Sequence, residues 1–309
     1  MKKEFMTKTV VVWIGALICC ALWGSAFPCI KLGYAMMEID SSDMATQILY
    51  AGYRFTLAGI LAIIIGSFVN RRLLVPSKQA IHKVIILSMF QTVLQYFFFY
   101  IGLAHTDGTK ASIIEGMNVF VAIVISGLIF RMERINARKI IGCVIGFAGV
   151  VLVNIPGSGF DFNMSILGEG FIFFSTISYA FSSVMLKRYA AEENTVMLSG
   201  WQFVVGGIIM SLGGLLLGGR INDFSKDGIM MLVYLALVSA VAYSLWSILL
   251  TYNPVSRVAV FGFMNPVIGF ILSAILLKER NAFSLVAFVS LALVCSGIYV
   301  VNKEKAVNK

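Results

Sequence analysis

Residues 52–60 read GYRFTLAGI and residues 200–208 read GWQFVVGGI, and the two stretches lie 148 positions apart. The same displacement returns along the chain. KASIIEGMNVF (110–120) pairs with RVAVFGFMNPV (257–267) at an offset of 147, and GVVLVN (149–154) with GIYVVN (297–302) at 148. RMER (131–134) echoes LKER (277–280) at 146. A single match of this kind is chance, but four in one order at nearly one offset indicate an ancestral duplication. The copies are expected to run over 10–154 and 167–302.

The composition says what each copy is made of. The chain has 309 residues, of which 59% are hydrophobic and 13% charged, and its mean hydropathy is +0.91. A soluble chain of this size carries far more polar surface. Ten apolar segments recur, at about 10–34, 46–69, 84–104, 109–130, 137–154, 167–186, 196–218, 228–249, 256–277 and 282–301. Most are long enough to cross the ~30 Å hydrocarbon layer of a bilayer. The expected fold is an all-α polytopic membrane protein of ten transmembrane helices, arranged as two five-helix repeats. The start, MKKEFMTKTVVVWIGALICC (1–20), has the basic and apolar regions of a signal peptide. Its apolar run is long and no convincing small-residue cleavage site follows, so it reads as an uncleaved first helix.

An odd number of spans per copy places the second copy upside down relative to the first. The charges agree. With the N-terminus on the cytoplasmic side, the inner segments hold 17 of the 24 lysines and arginines, and the outer segments hold only Lys110, Arg220, Lys226, Lys278 and Arg280. Such a bias sets orientation. It gives a protein of the cell (inner or plasma) membrane with both termini cytoplasmic, and it explains the net charge of +9 without a nucleic-acid partner. Lys110 is expected outside and its counterpart Arg257 inside. Inverted repeats of this kind characterise secondary transporters.

Ten spans, a five-plus-five duplication, WGSAFPCIK (23–31), YRFTLAGI (53–60) and MNPVIGFILSAILLKER (264–280) resemble the drug/metabolite transporter superfamily, specifically the EamA-type permeases. The resemblance covers nearly the whole chain. It implies an inner-membrane carrier of small metabolites, often an amino-acid exporter. In one respect the chain departs from the pattern. Members commonly carry a proline in the fourth helix, where this chain has Val119; Pro266, at the matching position of the ninth, is retained.

Lys31, Arg54 and Glu115 are the clear charges lying several residues inside a span. A charge there costs ~2.5–3.5 kcal/mol on insertion scales, so it needs a partner, a wet cavity or a function. At 1.5 Å per residue, Lys31 lies roughly 5–8 Å, Arg54 about 12 Å and Glu115 about 9 Å from the outer helix ends. A mixed cluster of two cations and one anion is therefore expected in the outer third. Lys31 has the alternative of snorkelling to the interface. Arg54, and Lys31 with it, would face a carboxylate. Glu115 would face an ammonium group, a coupling proton or a structural cation, and its protonation state is left open. Ser112 and Asn118 share its helix face.

Pro28 leaves the carbonyl of Gly24 without its helical partner, and Pro266 does the same to Gly262. Kinks are expected at Gly24/Pro28 and at Pro266, one in each half, as gating elements or as packing adjustments. Gln95, Tyr96, Tyr179, Trp201, Gln202, Trp246 and Asn265 are further candidates for lining a cavity. Tyrosine and tryptophan near helix ends are otherwise interface anchors.

The sequence carries no P-loop, no His-Glu-x-x-His and no nucleophile elbow. The five cysteines fall in apolar runs without metal-ligand spacing. No enzyme activity, cofactor or metal is therefore expected, and transport energy would come from a gradient. The expectation is an alternating-access carrier of a small metabolite, an amino acid or related zwitterion, moving outward. The competing readings are a membrane scaffold or receptor, a channel, and a membrane-embedded lipid enzyme. The sequence leaves open the substrate, the coupling ion, the direction of flux and the oligomeric state.

Overall fold

The computed structural model describes residues 3–40, 42–105, 114–153, 165–222, 224–265, 267–268, 272 and 285–303. After a short turn at Lys3–Met6, the helices are α1 (Thr9–Met36), α2 (Met44–Asn70), α3 (Lys78–Gly102), α4 (Ile114–Ile129) and α5 (Ala137–Val153). Then come α6 (Ile166–Tyr189), α7 (Thr195–Leu216) and α8 (Lys226–Tyr252). They are followed by α9 (Val255–Ala259), continued by a 3₁₀ turn at Val260–Phe263, and by α10 (Leu285–Asn302).

Six of these helices, α1, α2, α3, α6, α7 and α8, run for 22 to 28 residues and are apolar enough to cross a bilayer. Large side chains such as Ile64, Phe68, Leu212 and Leu216 are left exposed, which suits lipid and not water. The molecule is an all-α polytopic membrane protein, with no strand among the described residues. The expected count of ten spans is not established. α4 and α10 contain shorter apolar stretches. Most of 266–284, with Pro266, Lys278 and Arg280, lies outside the described residues, as does Lys110.

Two helix pairs make the closest approaches. In lipid, helices gain no hydrophobic advantage from meeting, so small residues that let backbones touch decide which ones pair. α2 and α7 run antiparallel along a glycine seam. A Cβ on Gly59 would stand 2.5 Å from the carbonyl oxygen of Gly200, and one on Gly207 would stand 2.9 Å from that of Gly52. α5 and α10 repeat the arrangement. A Cβ on Gly142 would meet the carbonyl oxygen of Gly297 at 2.8 Å, and one on Gly149 would meet that of Ser290 at 2.7 Å. In both pairs, moving one residue forward and the other back by the 148-residue offset converts the first contact into the second.

The polar segments gather at two faces. On one face the short 3–9 segment, 71–83, 130–139, 187–201, 250–257 and 302–303 are tied together. Lys83 Nζ donates to Glu192 at 2.6 Å and to Glu193 at 3.1 Å. Trp201 Nε1 donates to the carbonyl of Leu74, Asn253 Nδ2 to that of Met6, and Arg138 to that of Lys303. Arg257 Nη2 donates to Thr9 Oγ1 at 3.0 Å. Lys187 Nζ donates to the carbonyls of Leu250 and Asn253. These are the segments that the charge count places on one common side. On the other face the Arg220 amide donates to Thr46 Oγ1, and Ser225 Oγ donates to the carbonyl of Met36.

One distortion matters for the interior. Residues Ser88–Leu94 of α3 form a π turn, which leaves carbonyls outside the regular ladder. Ser178 of α6 donates to the carbonyl of Phe90 at 2.7 Å, and Thr92 donates to Gln202 Oε1 at 2.7 Å. α3 is thereby fastened to both α6 and α7.

The seam makes a stability prediction. Gly59→Ala should force α2 and α7 apart and lower stability by about 1–3 kcal/mol, the usual cost of overpacking. Gly213→Ala, on the same seam partner but with nothing within 4 Å of its added Cβ, should leave the melting temperature in detergent unchanged or slightly raised. Equal melting of both variants would contradict this packing.

Candidate functional site

Two polar loci lie inside the bundle. The first is a cramped cavity lined by Trp23 of α1, Asn118 and Ala122 of α4, Tyr179 and Ser183 of α6, Trp246 and Leu250 of α8, Val255 and Ala259 of α9, and Gly262 and Asn265 beyond it. Its free space suits a water and not a metabolite. Four residues expected as lining, Asn118, Tyr179, Trp246 and Asn265, come together here. Asn118 and Asn265 are 147 positions apart, equivalent places in the two repeated stretches. Asn265 Oδ1 is buried without a hydrogen-bond partner. Gly262 makes the approach of this strand of chain to α4 close, since a Cβ there would lie 3.3 Å from Asn118 Oδ1.

The second locus is Arg54. Its side chain is 4% exposed. Nη2 donates to Ser239 Oγ of α8 at 2.9 Å, the guanidinium carbon lies 5.1 Å from the centre of the Phe55 ring, and Nε has no acceptor. One turn earlier on α2, Tyr50 is 1% exposed and its hydroxyl also has no partner. Tyr34 packs edge-on against Tyr50 with ring centres 5.4 Å apart, and its hydroxyl stands 3.5 Å from that of Tyr100. No carboxylate pairs with the guanidinium among the described residues. A buried cation without a counter-charge carries a desolvation cost, which Ser239 and the Phe55 ring offset in part.

Aromatic rings connect the two loci. Phe55 packs on Tyr96 at 4.5 Å and stacks on Phe203 at 5.2 Å. Phe203 meets Tyr243 edge-on at 4.8 Å, and Trp23 touches both Tyr243 and Trp246 at about 5 Å. Across this wall the hydroxyls of Tyr96 and Tyr243 stand 3.3 Å apart, and these residues too are separated by 147 positions.

The expected cluster of three charges does not form. Lys31 is exposed on α1, the snorkelling alternative. Glu115 is partly buried and has no ion pair with Arg54 or Lys31. Trp201 is spent on the carbonyl of Leu74 at one face. Gln202 is fully buried and holds Thr92, bracing α3 against α7. Gln95 sits beside Tyr243 with its Oε1 buried and unpartnered. Pro28 and Gly24 are buried, and α1 continues through Pro28 from Thr9 to Met36. The kink expected at Pro266 lies outside the described residues.

Sequence reasoning missed Tyr50, Ser239 and Glu133. Tyr50 was legible as the residue four before Arg54. Ser239 gives no signal, because only the packing of α8 on α2 brings it there. Glu133 braces α9, two of whose residues line the cavity. Its carboxylate takes Lys139 Nζ at 2.5 Å, Ser126 Oγ at 3.0 Å and the Ser256 amide at 3.0 Å, together with the Ser256 hydroxyl. It thus holds the first turn of α9, where Val255 and Ala259 wall the cavity.

Comparison with known proteins agrees with this architecture. The model of the EamA-like transporter family matches residues 11–155 and again 166–303. An uncharacterized transporter of Archaeoglobus fulgidus is 27% identical over 306 residues, 95% of this chain and 99% of that protein. A probable amino-acid metabolite efflux pump of Escherichia coli (strain K12) is 26% identical over 295 residues, 92% of each chain. A solved crystal structure superposes with a TM-score of 0.77 at 17% identity, covering 94% of this chain and 96% of that one, so it shares the fold. The protein is thus a multi-pass membrane transporter in class. It belongs to the EamA-like transporter family.

The Glu133 lock carries a pH prediction. Burial pushes its carboxyl up, but Lys139 and the Ser256 hydroxyl and amide outweigh this and hold it below the ordinary glutamate range. A carboxyl lowered in the folded state stabilises above its unfolded pKa, and that contribution is lost as pH falls through the folded one. Melting in detergent should therefore weaken as pH drops from about 4.5, and Glu133→Gln should flatten that part of the curve. Identical acid profiles for the two proteins would remove Glu133 from this role.

Proposed function

We propose that this transporter is a secondary carrier working by alternating access, built from two inverted five-helix repeats over 10–154 and 167–302. It moves a small metabolite, an amino acid or related zwitterion, out of the cell across the cell (inner or plasma) membrane, with both termini cytoplasmic. The observation that carries the reading is the cavity where Asn118 and Asn265 meet. Equivalent side chains from the two repeats line one space, as they would if the halves rock about a shared site. The two consecutive family matches and the exchanged glycine contacts support the duplication. The named relative of Escherichia coli supports the substrate class.

In this reading Arg54 takes the anionic end of the cargo. Asn118, Asn265, Tyr179 and Trp246 line its path, with Gln95 and Tyr96 on the wall between. Glu115 is left for a coupling proton. Gly24, Pro28 and Pro266 give α1 and the ninth segment their freedom to gate. Energy comes from a gradient.

Purified protein in proteoliposomes should exchange labelled amino acids in saturable counterflow. Asn118→Ala and Asn265→Ala should each lower the exchange rate by about tenfold, the loss of one or two hydrogen bonds in a closed site, with melting temperature retained. Flux that rises linearly with concentration, or no flux with any amino acid, would sink the carrier reading.

A further inference from the structure

Two kinds of contact hold the helices together. α2 meets α7, and α5 meets α10, backbone to backbone along glycines. Such a seam has no side chain that could turn away and release it. The segment 255–263 is held differently. At its start the Glu133 carboxylate takes the Ser256 amide at 3.0 Å and the Ser256 hydroxyl. Glu133 is itself oriented by Lys139 Nζ at 2.5 Å and Ser126 Oγ at 3.0 Å. Further along, the Cys20 thiol of α1 donates to the carbonyl of Phe261 at 3.2 Å, and Trp13 of α1 meets the Phe261 ring edge-on. Phe263 packs edge-on against Phe120 of α4.

The same segment is built to bend. It starts after Pro254, passes from an α turn into a 3₁₀ turn at Val260, and carries Gly262. Interruptions of this kind often mark hinges. Val255, Ala259 and Gly262 wall the cavity, whereas Asn253 and Arg257 are tied to Met6 and Thr9 at the face with the basic segments. The segment therefore runs from that face to the cavity. Glu133 lies in the first family-matched stretch and Ser256 in the second, so their contact joins the two.

The geometry points to Glu133 as a latch. Its hold on Ser256 keeps segment 255–263 seated against α1 and α4, and its release opens the cavity toward the face with the basic segments. The inference rests on the carrier reading and names one side-chain contact that the transport cycle must break. Glu133 is a positioning residue that acts on the cavity through Ser256 and α9.

The chain's own cysteines can report the release. Cys19, Cys20 and Cys143 are all buried, but their surroundings differ. Cys19 Sγ donates to the carbonyl of Ala242 in α8, Cys20 to that of Phe261, and Cys143 belongs to α5. A buried group reacts only in conformations that uncover it. Lifting of segment 255–263 uncovers Cys20 and leaves the other two covered.

The test treats the full chain in detergent with N-ethylmaleimide and follows modification of each cysteine by peptide mass spectrometry. Glu133→Gln keeps the shape of the side chain but removes its charge, and should speed modification of Cys20 about tenfold, the worth of one charge-assisted bond. Cys19 and Cys143 should change by less than about twofold, since their neighbours do not move. Ser256→Ala removes only the hydroxyl contact and should speed Cys20 by about threefold. If Glu133→Gln does not fold, Ser256→Ala decides alone. The latch falls if Cys20 reacts no faster than in the native chain. It falls equally if all three cysteines quicken together, which is general loosening. Counterflow separates the two readings. Selective release of Cys20 in a protein that exchanges no amino acid would overturn the carrier and spare the latch. Saturable exchange with an unchanged Cys20 rate would do the reverse.

Discussion

The close passage of α2 along α7 is the constraint on which the interior depends. Between apolar helices in lipid the available gain is contact itself, and contact is largest where no side chain stands between backbones. Gly52 and Gly59 on one helix, with Gly200 and Gly207 on the other, give backbone approaches that even one methyl group would obstruct. This fixes more than distance. Gly52 facing α7 turns Arg54, two residues on, roughly 200° away around the helix at 3.6 residues per turn. The seam therefore aims Tyr50 and Arg54 away from α7, so that Arg54 reaches Ser239 of α8 and Tyr50 packs on Tyr34 of α1.

The second glycine seam, α5 on α10, works the same way at the other pair of equivalent helices. α1, α3 and α8, with Phe55 of α2 and Phe203 of α7, contribute the aromatic wall, and α1, α4, α6, α8 and α9 line the cavity. Two pairs of equivalent residues meet in that space: Tyr96 with Tyr243 through their hydroxyls, and Asn118 with Asn265 around one cavity. A two-fold relation between halves, as proposed above, brings equivalent atoms together only near its axis, so these pairs would mark that axis.

The helices, the two faces and the cavity asparagines were legible before any coordinates, because hydropathy, charge bias and a 148-residue offset are properties of sequence alone. The interior charges were legible as individuals and not as a group. Depth along a helix can be counted, but azimuth in the bundle depends on packing, and azimuth separates Lys31 from Arg54. Trp201 illustrates the same limit. Its place opposite Tyr53 in the repeat suggested a lining role, yet its indole found the carbonyl of Leu74 at the face. Ser239 was invisible because one serine on an apolar helix says nothing about the cation it will meet 185 residues away.

Where the chain satisfies its polar groups is itself informative. At the face carrying the basic segments, Glu133 has four hydrogen bonds and Lys83 has two carboxylates. In the interior, Tyr50, Arg54, Gln95 and Asn265 each keep a buried polar atom without a partner. Stability alone favours the opposite distribution, since an unmet group costs more in a dry interior than at a wet face. Replacing Arg54 by an apolar residue, or setting an acid beside it, would remove the penalty at once. Unmet atoms also lie at Gln202 in the core and at Asn253 and Asn302 by the basic face, but those of Arg54, Gln95 and Asn265 follow the aromatic wall from α2 to the cavity. A polar guest moving along that line would offer partners to these three groups in turn, which a role in stability alone does not account for.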